Sequence, residues 1–251
     1  MTEAANKIAV VTGAGTGVGR AASLALMNAG FIVVLAGRRM EMLEETKKLG
    51  DNVGKSMCVS ADMTKPESIA ALFAKVKDTY GRLDVLFNNV STLGATPLPP
   101  LAEYPLAELE EAFRVNLVAP LALVREALPL LEESGGLVVN ISSDAARGGY
   151  PGWGGYGLTK AALDLASLTL ANELSGRQVG VVAVDPGDLR TRMHQEAFPG
   201  EDISDRPLPE VTLPFWAWLL GQPPAAVTGR RYQAQADRWE VNVPTLEEVA
   251  V

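Results

Sequence analysis

The sequence predicts an α/β fold built on a doubly wound, mostly parallel β-sheet with helices on both faces. Three observations predict it. Short apolar runs alternate with helical patterns of 10 or more residues, which is typical of repeated strand–helix–strand units. The apolar runs lack polar alternation, as expected for strands buried on both faces. No linker, repeat or low-complexity segment interrupts the pattern, so we expect residues 1–251 to form a single domain.

Composition limits the classes of function. The chain has 22 Lys and Arg against 30 Asp and Glu, a net charge of −8, which disfavours nucleic acid and anionic membranes as partners. No apolar run is long enough to cross a bilayer, and the N-terminus lacks the apolar region of a signal peptide. A single cysteine, Cys58, rules out an internal disulfide, and with the single histidine, His194, it offers no metal-ligand spacing. We therefore expect a soluble, cytoplasmic protein without a metal.

The first strand, at residues 8–11, leads directly into a glycine-rich turn and a helix over residues 20–29. Glycines in such a turn let the backbone bend sharply and approach a pyrophosphate, whose charge lies at the positive end of the helix. The flanking strand and helix make the motif indicative of dinucleotide binding. A glycine turn without a ligand is the alternative. The candidate contacts are Gly13, Thr16, Gly17, Val18 and Gly19.

The second strand, at residues 31–36, ends before Gly37, Arg38 and Arg39. In dinucleotide folds an acidic residue at this point binds the ribose 2′-hydroxyl of NAD, and a basic residue suits the 2′-phosphate of NADP. Gly37 stands at the acidic position and Arg38 follows it, so the charge pattern favours NADP(H), with NAD(H) left open. The alternative is that both arginines only begin the helix over residues 40–49 and point to water.

The third and fourth strands, at residues 55–60 and 83–87, both end in polar side chains. Asp62 follows the third strand. We expect it either to hydrogen-bond an adenine amino group or to cap the helix over residues 66–79. Asn88 follows the fourth strand.

A proline-rich loop at residues 96–105 precedes a helical pattern that resumes at Leu106 and carries Asn116. An asparagine inside a helix competes for backbone hydrogen bonds, so a local kink or a bound water is the plain explanation of Asn116. A further helix over residues 117–131 and a fifth strand at residues 136–141 follow.

A candidate proton-transfer site follows the fifth strand. Ser143 lies at the carboxyl end of that strand, where open α/β sheets place ligands. Tyr156 and Lys160 are four residues apart and lie on one face of a helix predicted over residues 156–174. An ammonium beside a phenol favours the phenolate, and should lower the pKa of the tyrosine toward a value useful in acid–base chemistry. A chance pairing on a surface helix is the alternative.

The last part of the chain contains a sixth strand at residues 179–184 and then an irregular segment, residues 192–214. A segment of this length without periodicity indicates a substrate lid or binding loop. We expect a short apolar helix at residues 215–220, an edge strand at residues 229–234 and a loosely held tail that contains Pro244.

Together, these motifs resemble those of the short-chain dehydrogenase/reductase superfamily over essentially the whole chain. The glycine motif of that family, TGxxxGxG, matches Thr12, Gly13, Gly17 and Gly19. Its catalytic quartet matches Asn116, Ser143, Tyr156 and Lys160. Its Asn-Asn motif matches Asn88-Asn89, and its Pro-Gly motif matches Pro186-Gly187 with Thr191. Each motif alone is weak, and their common order and spacing are strong evidence.

The resemblance implies a Rossmann-like sheet of about seven strands, and hydride transfer between a nicotinamide and a carbonyl or secondary alcohol. Tyr156 is then the general acid or base, and Ser143 hydrogen-bonds the substrate oxygen. Lys160 lowers the pKa of Tyr156 and holds the nicotinamide ribose. Asn116 fixes a water in a proton relay behind Lys160, and Asn88 lines the cofactor groove.

The resemblance also implies that Thr191 contacts the carboxamide or pyrophosphate of the cofactor, beside Pro186 and Gly187. Two departures from the family are present. The usual Asn-Asn-Ala-Gly ends here in Ser91, so a serine makes the close backbone approach of the glycine. The Asp-Gly-Gly ending of tetrameric bacterial members is replaced by YQAQA at residues 232–236. Of the two expected assemblies, a homodimer formed through helices is thus better supported than a homotetramer.

The implied activity is that of an NADP(H)-preferring oxidoreductase for a small ketone or alcohol. Tyr150, Pro151 and Trp153 precede the catalytic tyrosine and would line an apolar pocket, which favours a moderately hydrophobic ketone. Arg190 and Arg192 would instead suit an anionic substrate. A 3-oxoacyl carrier reductase and a non-catalytic dinucleotide sensor are the alternatives, because a fold alone does not establish turnover.

Overall fold

The computed structural model describes residues 7–241, which contain one seven-stranded sheet. The strands are β1 (Ile8–Thr12), β2 (Ile32–Gly37), β3 (Ser56–Ser60), β4 (Val85–Asn88), β5 (Leu137–Ile141), β6 (Gly180–Asp185) and β7 (Arg231–Gln233). Their spatial order is β3-β2-β1-β4-β5-β6-β7, and every neighbouring pair is parallel. The predicted fold class is therefore confirmed, with a sheet that is wholly rather than mostly parallel.

Helices connect the strands on both faces of this sheet. Their bounds are α1 (Gly17–Asn28), α2 (Met40–Gly50), α3 (Pro66–Tyr80), α4 (Leu106–Phe113), α5 (Ala119–Ser134), α6 (Ala145–Gly148), α7 (Gly154–Leu174), α8 (Arg192–Ala197), α9 (Leu213–Leu220) and α10 (Pro224–Val227). Among residues 7–241, no helix combines the length and the apolar character that a membrane span requires.

The apolar strands form two hydrophobic cores, one on each face of the sheet. Successive side chains of a strand point to opposite faces, so β1 supplies both cores. Val10 packs in a cluster with apolar residues of α3 and α5, and its neighbour Val11 packs in a second cluster with residues of α1 and α9. Burial of both faces explains why the strands carry no polar alternation.

The strand order places a crevice at the centre of the sheet. From β1 the chain proceeds outward through β2 to β3, and then returns to add β4 through β7 on the other side. In such sheets ligands bind at the carboxyl ends of the strands where the order reverses. The glycine turn follows β1, Asn88 ends β4 and Asn89 follows it, so both motifs lie at this crevice.

The helix that carries Asn116 differs from its prediction. α4 and α5 are joined without a break by a π-helical segment, Arg114–Val118, whose third residue is Asn116. The predicted start of a separate helix at residue 117 is therefore wrong. The irregularity expected at Asn116 is present as a widened helical turn, a feature that often occurs at functional sites.

The segment at residues 192–214 is more regular than predicted. It contains α8, a short 3-10 turn at Pro209–Thr212 and the first residues of α9. Thr191 determines where α8 begins. Its hydroxyl oxygen accepts a hydrogen bond of 3.2 Å from the main-chain N–H of His194 and so caps the N-terminus of the helix. The predicted tail with Pro244 lies outside the described residues.

Candidate active site

The turn after β1 has a backbone shape that requires glycine. Gly13 and Gly17 have φ angles of 65° and 55°, in the left-handed region. A Cβ on Gly19 would lie 2.3 Å from the main-chain oxygen of Gly13. Thr16 precedes α1 and makes no side-chain capping hydrogen bond, and Val18 packs its side chain on the core. The first N–H groups of α1 therefore remain available to an anion in the crevice.

Two polar side chains fasten this turn to β4. The hydroxyl of Thr12 donates to the main-chain oxygen of Phe87 (3.2 Å) and accepts from the main-chain N–H of Asn89 (3.0 Å). The Asn89 amide nitrogen donates in turn to the carbonyl oxygens of Thr12 (3.1 Å) and Gly13 (3.3 Å). Asn89, to which the sequence analysis gave no role of its own, thus sets the position of the glycine turn.

The side chain of Asn88 does not line the groove, contrary to the prediction. It is 3% exposed, and its amide nitrogen donates to Oδ1 of Asn140 at 2.9 Å. Asn140 donates to the hydroxyl of Ser167 at 2.9 Å, so the three side chains connect β4, β5 and α7. The reason is strand alternation, which points Asn88 and Asn89 in opposite directions.

Arg38 and Asp62 lie close together beyond β2 and β3. Hydrogen bonds from the main-chain N–H (3.0 Å) and hydroxyl (2.8 Å) of Thr64 lower the pKa of the Asp62 carboxyl, and the guanidinium of Arg38 lowers it further. Asp62 therefore closes a turn and does not cap α3, which is preceded by Lys65. Arg38 and Arg39 are exposed. Arg38 thus presents a positive charge at the open end of the crevice.

The segment after β6 returns to the glycine turn. Gly187 has a φ angle of 76°, and its N–H donates to Oδ1 of Asp185 at 3.0 Å, which fixes the bend at Pro186. Thr191 lies against the turn, since a Cβ on Gly17 would be 3.4 Å from the Thr191 methyl carbon. The structure thus brings Thr191 and the glycine turn to the same crevice.

Ser143, Tyr156 and Lys160 come together at the carboxyl end of β5. α7 begins at Gly154, two residues before its prediction, and includes both Tyr156 and Lys160. The Lys160 ammonium lies 5.5 Å from the centre of the Tyr156 ring and donates to the main-chain oxygen of Ile141 at 2.8 Å. The Ser143 hydroxyl lies close enough to the phenol to favour its ionised form. Lys160 is only 2% exposed, so its charge is enclosed in protein.

Burial controls the ionisation of this group of side chains. It raises the pKa of Tyr156 above its ordinary value, and the nearby hydroxyls of Ser91 and Ser143 oppose that rise only in part. Burial also lowers the pKa of Lys160 from 10.5 to about 8, against the attraction of Asp164. The pKa of Tyr156 is therefore raised rather than lowered as expected, because burial outweighs the contacts that favour the phenolate. Tyr156 is a neutral phenol near pH 7 and can donate a proton.

Asn116 is fully buried, and its amide is fully engaged. The nitrogen donates to the Thr92 carbonyl oxygen (2.8 Å) and the Thr159 hydroxyl (2.9 Å). The oxygen accepts from the Thr92 N–H (2.8 Å) and the Ser91 hydroxyl (3.1 Å). The side chain thus has no open position for the water expected there. Ser91 connects Asn116 with Tyr156, a side-chain role that the sequence analysis missed.

Tyr156 faces an apolar surface. Its cluster contains Leu93, Ala145 and Ala197, with Leu98, Trp153, Met193 and Phe198 packed against it. The Trp153 ring lies 5.8 Å from that of Tyr156 and 6.0 Å from that of Phe198, so the end of α8 meets the start of α7 here. Tyr150, expected to line the same surface, is 46% exposed and pairs with the carboxylate of Asp144.

The fold and the site define a class of protein. It is a doubly wound α/β protein with a glycine turn suited to a dinucleotide, and Ser143, Tyr156 and Lys160 form a candidate proton-transfer site beside that turn. The family model for short chain dehydrogenases matches residues 7–202. The chain therefore belongs to the short chain dehydrogenase family of oxidoreductases.

Individual relatives cover nearly the whole chain. The uncharacterized oxidoreductase YciK of Escherichia coli strain K12 is 31% identical over 93% of this chain and 93% of its own length. Fluoren-9-ol dehydrogenase of Terrabacter sp. is 32% identical over 92% of this chain and 71% of its own length. A short chain dehydrogenase of Shigella flexneri, crystallised with NADP, is 30% identical, with a TM-score of 0.83 over 94% of this chain and all (100%) of its own.

Proposed function

We propose that this protein is an NADP(H)-preferring oxidoreductase that interconverts a moderately hydrophobic ketone and its secondary alcohol. Tyr156 is the general acid in reduction and the general base in oxidation. The observation that carries the proposal is the placement of the Tyr156 phenol, which lies between the Ser143 hydroxyl and the apolar surface of Trp153. A carbonyl oxygen at this point would meet two hydroxyl donors while its substituents meet apolar side chains.

The residues at the crevice fit a dinucleotide phosphate. The backbone of Gly13 and Gly17 and the open N–H groups of α1 suit the pyrophosphate. The exposed Arg38 suits a 2′-phosphate, and Gly37 adds no repelling carboxylate. The Shigella relative crystallised with NADP supports the same preference. When bound, the nicotinamide supplies or accepts the hydride.

Ser143 and Tyr156 perform the proton chemistry. The Ser143 hydroxyl donates at present to Oδ1 of Asp144 at 3.0 Å, so it must rotate to donate to a substrate oxygen. The raised pKa of Tyr156 keeps the phenol protonated near pH 7, which favours reduction. Lys160, whose pKa is about 8, still carries most of its charge near pH 7 and stabilises the phenolate formed when Tyr156 gives up its proton.

The substrate class follows from the surface around Tyr156. Trp153 and Phe198 form an aromatic wall, and Leu93, Leu98 and Met193 extend it. Burying an apolar substituent against these side chains contributes about 25 cal/mol per Å² of apolar surface. A relative named for a polycyclic aromatic alcohol, fluoren-9-ol dehydrogenase, supports an apolar substrate. Arg192 forms an ion pair with Glu196 at 2.7 Å, so it is less available to bind an anionic substrate.

The test is cofactor consumption at 340 nm. NADPH and NADH are compared against a panel of aromatic and aliphatic ketones, sugars and short oxo acids. We expect turnover of apolar ketones with NADPH preferred. Tyr156→Phe should lower kcat by roughly 10²- to 10⁴-fold, the usual contribution of a general acid. Tyr80→Phe, on the distant α3, removes the same hydroxyl from a half-buried ring outside the site and should leave turnover unchanged.

Other outcomes would assign other functions. Tight NADPH binding with no turnover of any carbonyl, in either direction, would make the protein a dinucleotide sensor. Preferential reduction of a 3-oxoacyl thioester mimic would make it an acyl carrier reductase. Turnover confined to sugars or short oxo acids would refute the apolar substrate class, although the catalytic assignment of Tyr156 would stand.

A further inference from the structure

Arg231, on the edge strand β7, makes three hydrogen bonds inside the protein. Its Nε donates to Oδ2 of Asp164 at 2.8 Å, and its Nη2 donates to Oδ2 of Asp185 at 3.3 Å. The same Nη2 donates to the main-chain oxygen of Ser143 at 2.7 Å. The side chains of Arg231, Asp164 and Asp185 are only 12%, 14% and 4% exposed, so solvent screens these contacts weakly.

These three acceptors belong to the three segments that build the active site. Ser143 is the residue whose hydroxyl meets the phenol of Tyr156. Asp164 lies one turn beyond Lys160 on α7. Asp185 ends β6 and binds the N–H of Gly187, which shapes the bend beside the cofactor crevice. One guanidinium thus fixes the distances between these three segments.

The geometry points to Arg231 as a positioning residue for the reaction, and this inference rests on the proposed function. By holding the Ser143 carbonyl, Arg231 sets where the Ser143 hydroxyl lies relative to Tyr156. By holding Asp185, it sets the bend at Gly187 against which the cofactor binds. It contacts neither the phenol nor the glycine turn, so its effect passes through Ser143 and Asp185.

A lysine at this position would supply charge without the geometry. The planar guanidinium directs its N–H groups in fixed directions, and Arg231 uses two nitrogens to reach three acceptors. A lysine ammonium is a single point on a flexible stem, so it can neutralise a carboxylate but cannot hold all three acceptors. Charge balance and positioning are therefore separable by experiment.

The experiment compares Arg231→Ala, Arg231→Lys and a matched control, Arg238→Ala. Arg238 is exposed and lines the same cavity of about 800 Å³ beside Arg231. We expect R231A to lower kcat roughly 10- to 100-fold, because small displacements of catalytic groups are costly, and to weaken NADPH binding several-fold. R231K should recover the urea midpoint of unfolding while kcat stays low. Methylguanidinium, but not methylammonium, should raise kcat of R231A through the cavity.

Three results would overturn the inference: wild-type kcat and NADPH affinity in R231K, equal losses in R238A, or a folded R231A with wild-type kinetics. If R231A does not fold, the kcat and NADPH affinity of R231K alone test the inference. If the wild type turns over no carbonyl, the proposed function fails by itself. The role of Arg231 is then decided by NADPH affinity, which should fall in R231K and recover in R231A with methylguanidinium.

Discussion

The buried ammonium of Lys160 should lower the free energy of unfolding of the protein, compared with an apolar side chain at the same position. Lys160 is 2% exposed, and burial lowers its pKa from 10.5 to about 8. A group with a lower pKa in the folded state binds its proton better in the unfolded state, so protonation favours unfolding. Replacing Lys160 with Met, an apolar side chain of similar length, should stabilise the protein while it removes activity.

The expected size follows from the pKa. The difference between 10.5 and about 8 corresponds to about 3 kcal/mol near pH 7, since one pKa unit is worth about 1.4 kcal/mol. Lys160→Met also loses the hydrogen bond to the Ile141 carbonyl oxygen, 2.8 Å long, which costs about 1 kcal/mol. We therefore expect the free energy of unfolding to rise by about 2 kcal/mol.

The assay is urea unfolding of the cofactor-free proteins near pH 7 and near pH 10. Below about pH 8 both the folded and the unfolded wild type carry the charge, so the advantage of K160M is complete. It should shrink as the pH rises from about 8 to 10.5, because the wild type gains stability where only its unfolded state still binds the proton. Lys75→Met, at an exposed position on α3, is the control and should change stability by less than about 0.5 kcal/mol.

A K160M protein that unfolds at the same or a lower urea concentration near pH 7 would refute the reasoning. So would an advantage that does not change between pH 7 and pH 10, since that result would mean that the stabilisation comes from packing rather than from the removed charge. In either case the ammonium of Lys160 would be better solvated than its burial indicates.

Three further predictions concern the cofactor, the acid and the assembly. Gly37→Asp should lower the NADPH-to-NADH ratio of kcat/KM by at least about tenfold, because its carboxylate repels a 2′-phosphate. The added Cβ meets only Leu43 Cδ2 at 3.5 Å, so the variant should fold. An unchanged ratio in the folded variant would show that the 2′-phosphate does not bind at this end of β2. Ser91→Ala should lower kcat for alcohol oxidation near pH 9 by about fivefold, the equivalent of about 1 kcal/mol, because the Ser91 hydroxyl lowers the pKa of Tyr156 and oxidation requires the phenolate; an unchanged or higher kcat contradicts that contact. We propose that the exposed Leu158, Leu165 and Leu168 of α7 pack against a second copy of the chain; Leu165 is 67% exposed. Leu165→Glu should then convert a dimer to a monomer, as measured by light scattering. A wild-type protein that is a monomer would refute this proposal.

Local features of the sequence were enough to predict much of the fold. The order of strands and helices followed from apolar runs and helical periodicity, each of which depends on residues close in the chain. The glycine turn was predictable because Gly13 and Gly17 adopt positive φ angles of 65° and 55°, which other residues rarely tolerate. The pairing of Tyr156 with Lys160 follows from a four-residue spacing on a single helix. The cap at Thr191, a residue type favoured at helix N-termini, offered a local signal for α8 that the sequence analysis did not use.

Other properties of the site depend on residues far apart in the chain. The side-chain directions of Asn88 and Asn89 follow from where β4 ends, and strand ends are difficult to place to a single residue. Serine at position 91 was visible as a departure from the family, but its partner Asn116 is 25 positions away. Arg231 and the Ser143 carbonyl oxygen are 88 positions apart.

The sequence by itself determined the parallel α/β architecture, the glycine turn and the identity of the groups able to donate and accept protons. Only the tertiary structure decided their ionisation. Sequence spacing brings the ammonium of Lys160 near the phenol of Tyr156, which alone would lower the pKa of the tyrosine. Folding also buries both groups, and burial penalises each charge, so the pKa of Tyr156 rises and that of Lys160 falls. Desolvation depends on every segment packed around a group, and no single stretch of the sequence contains that information.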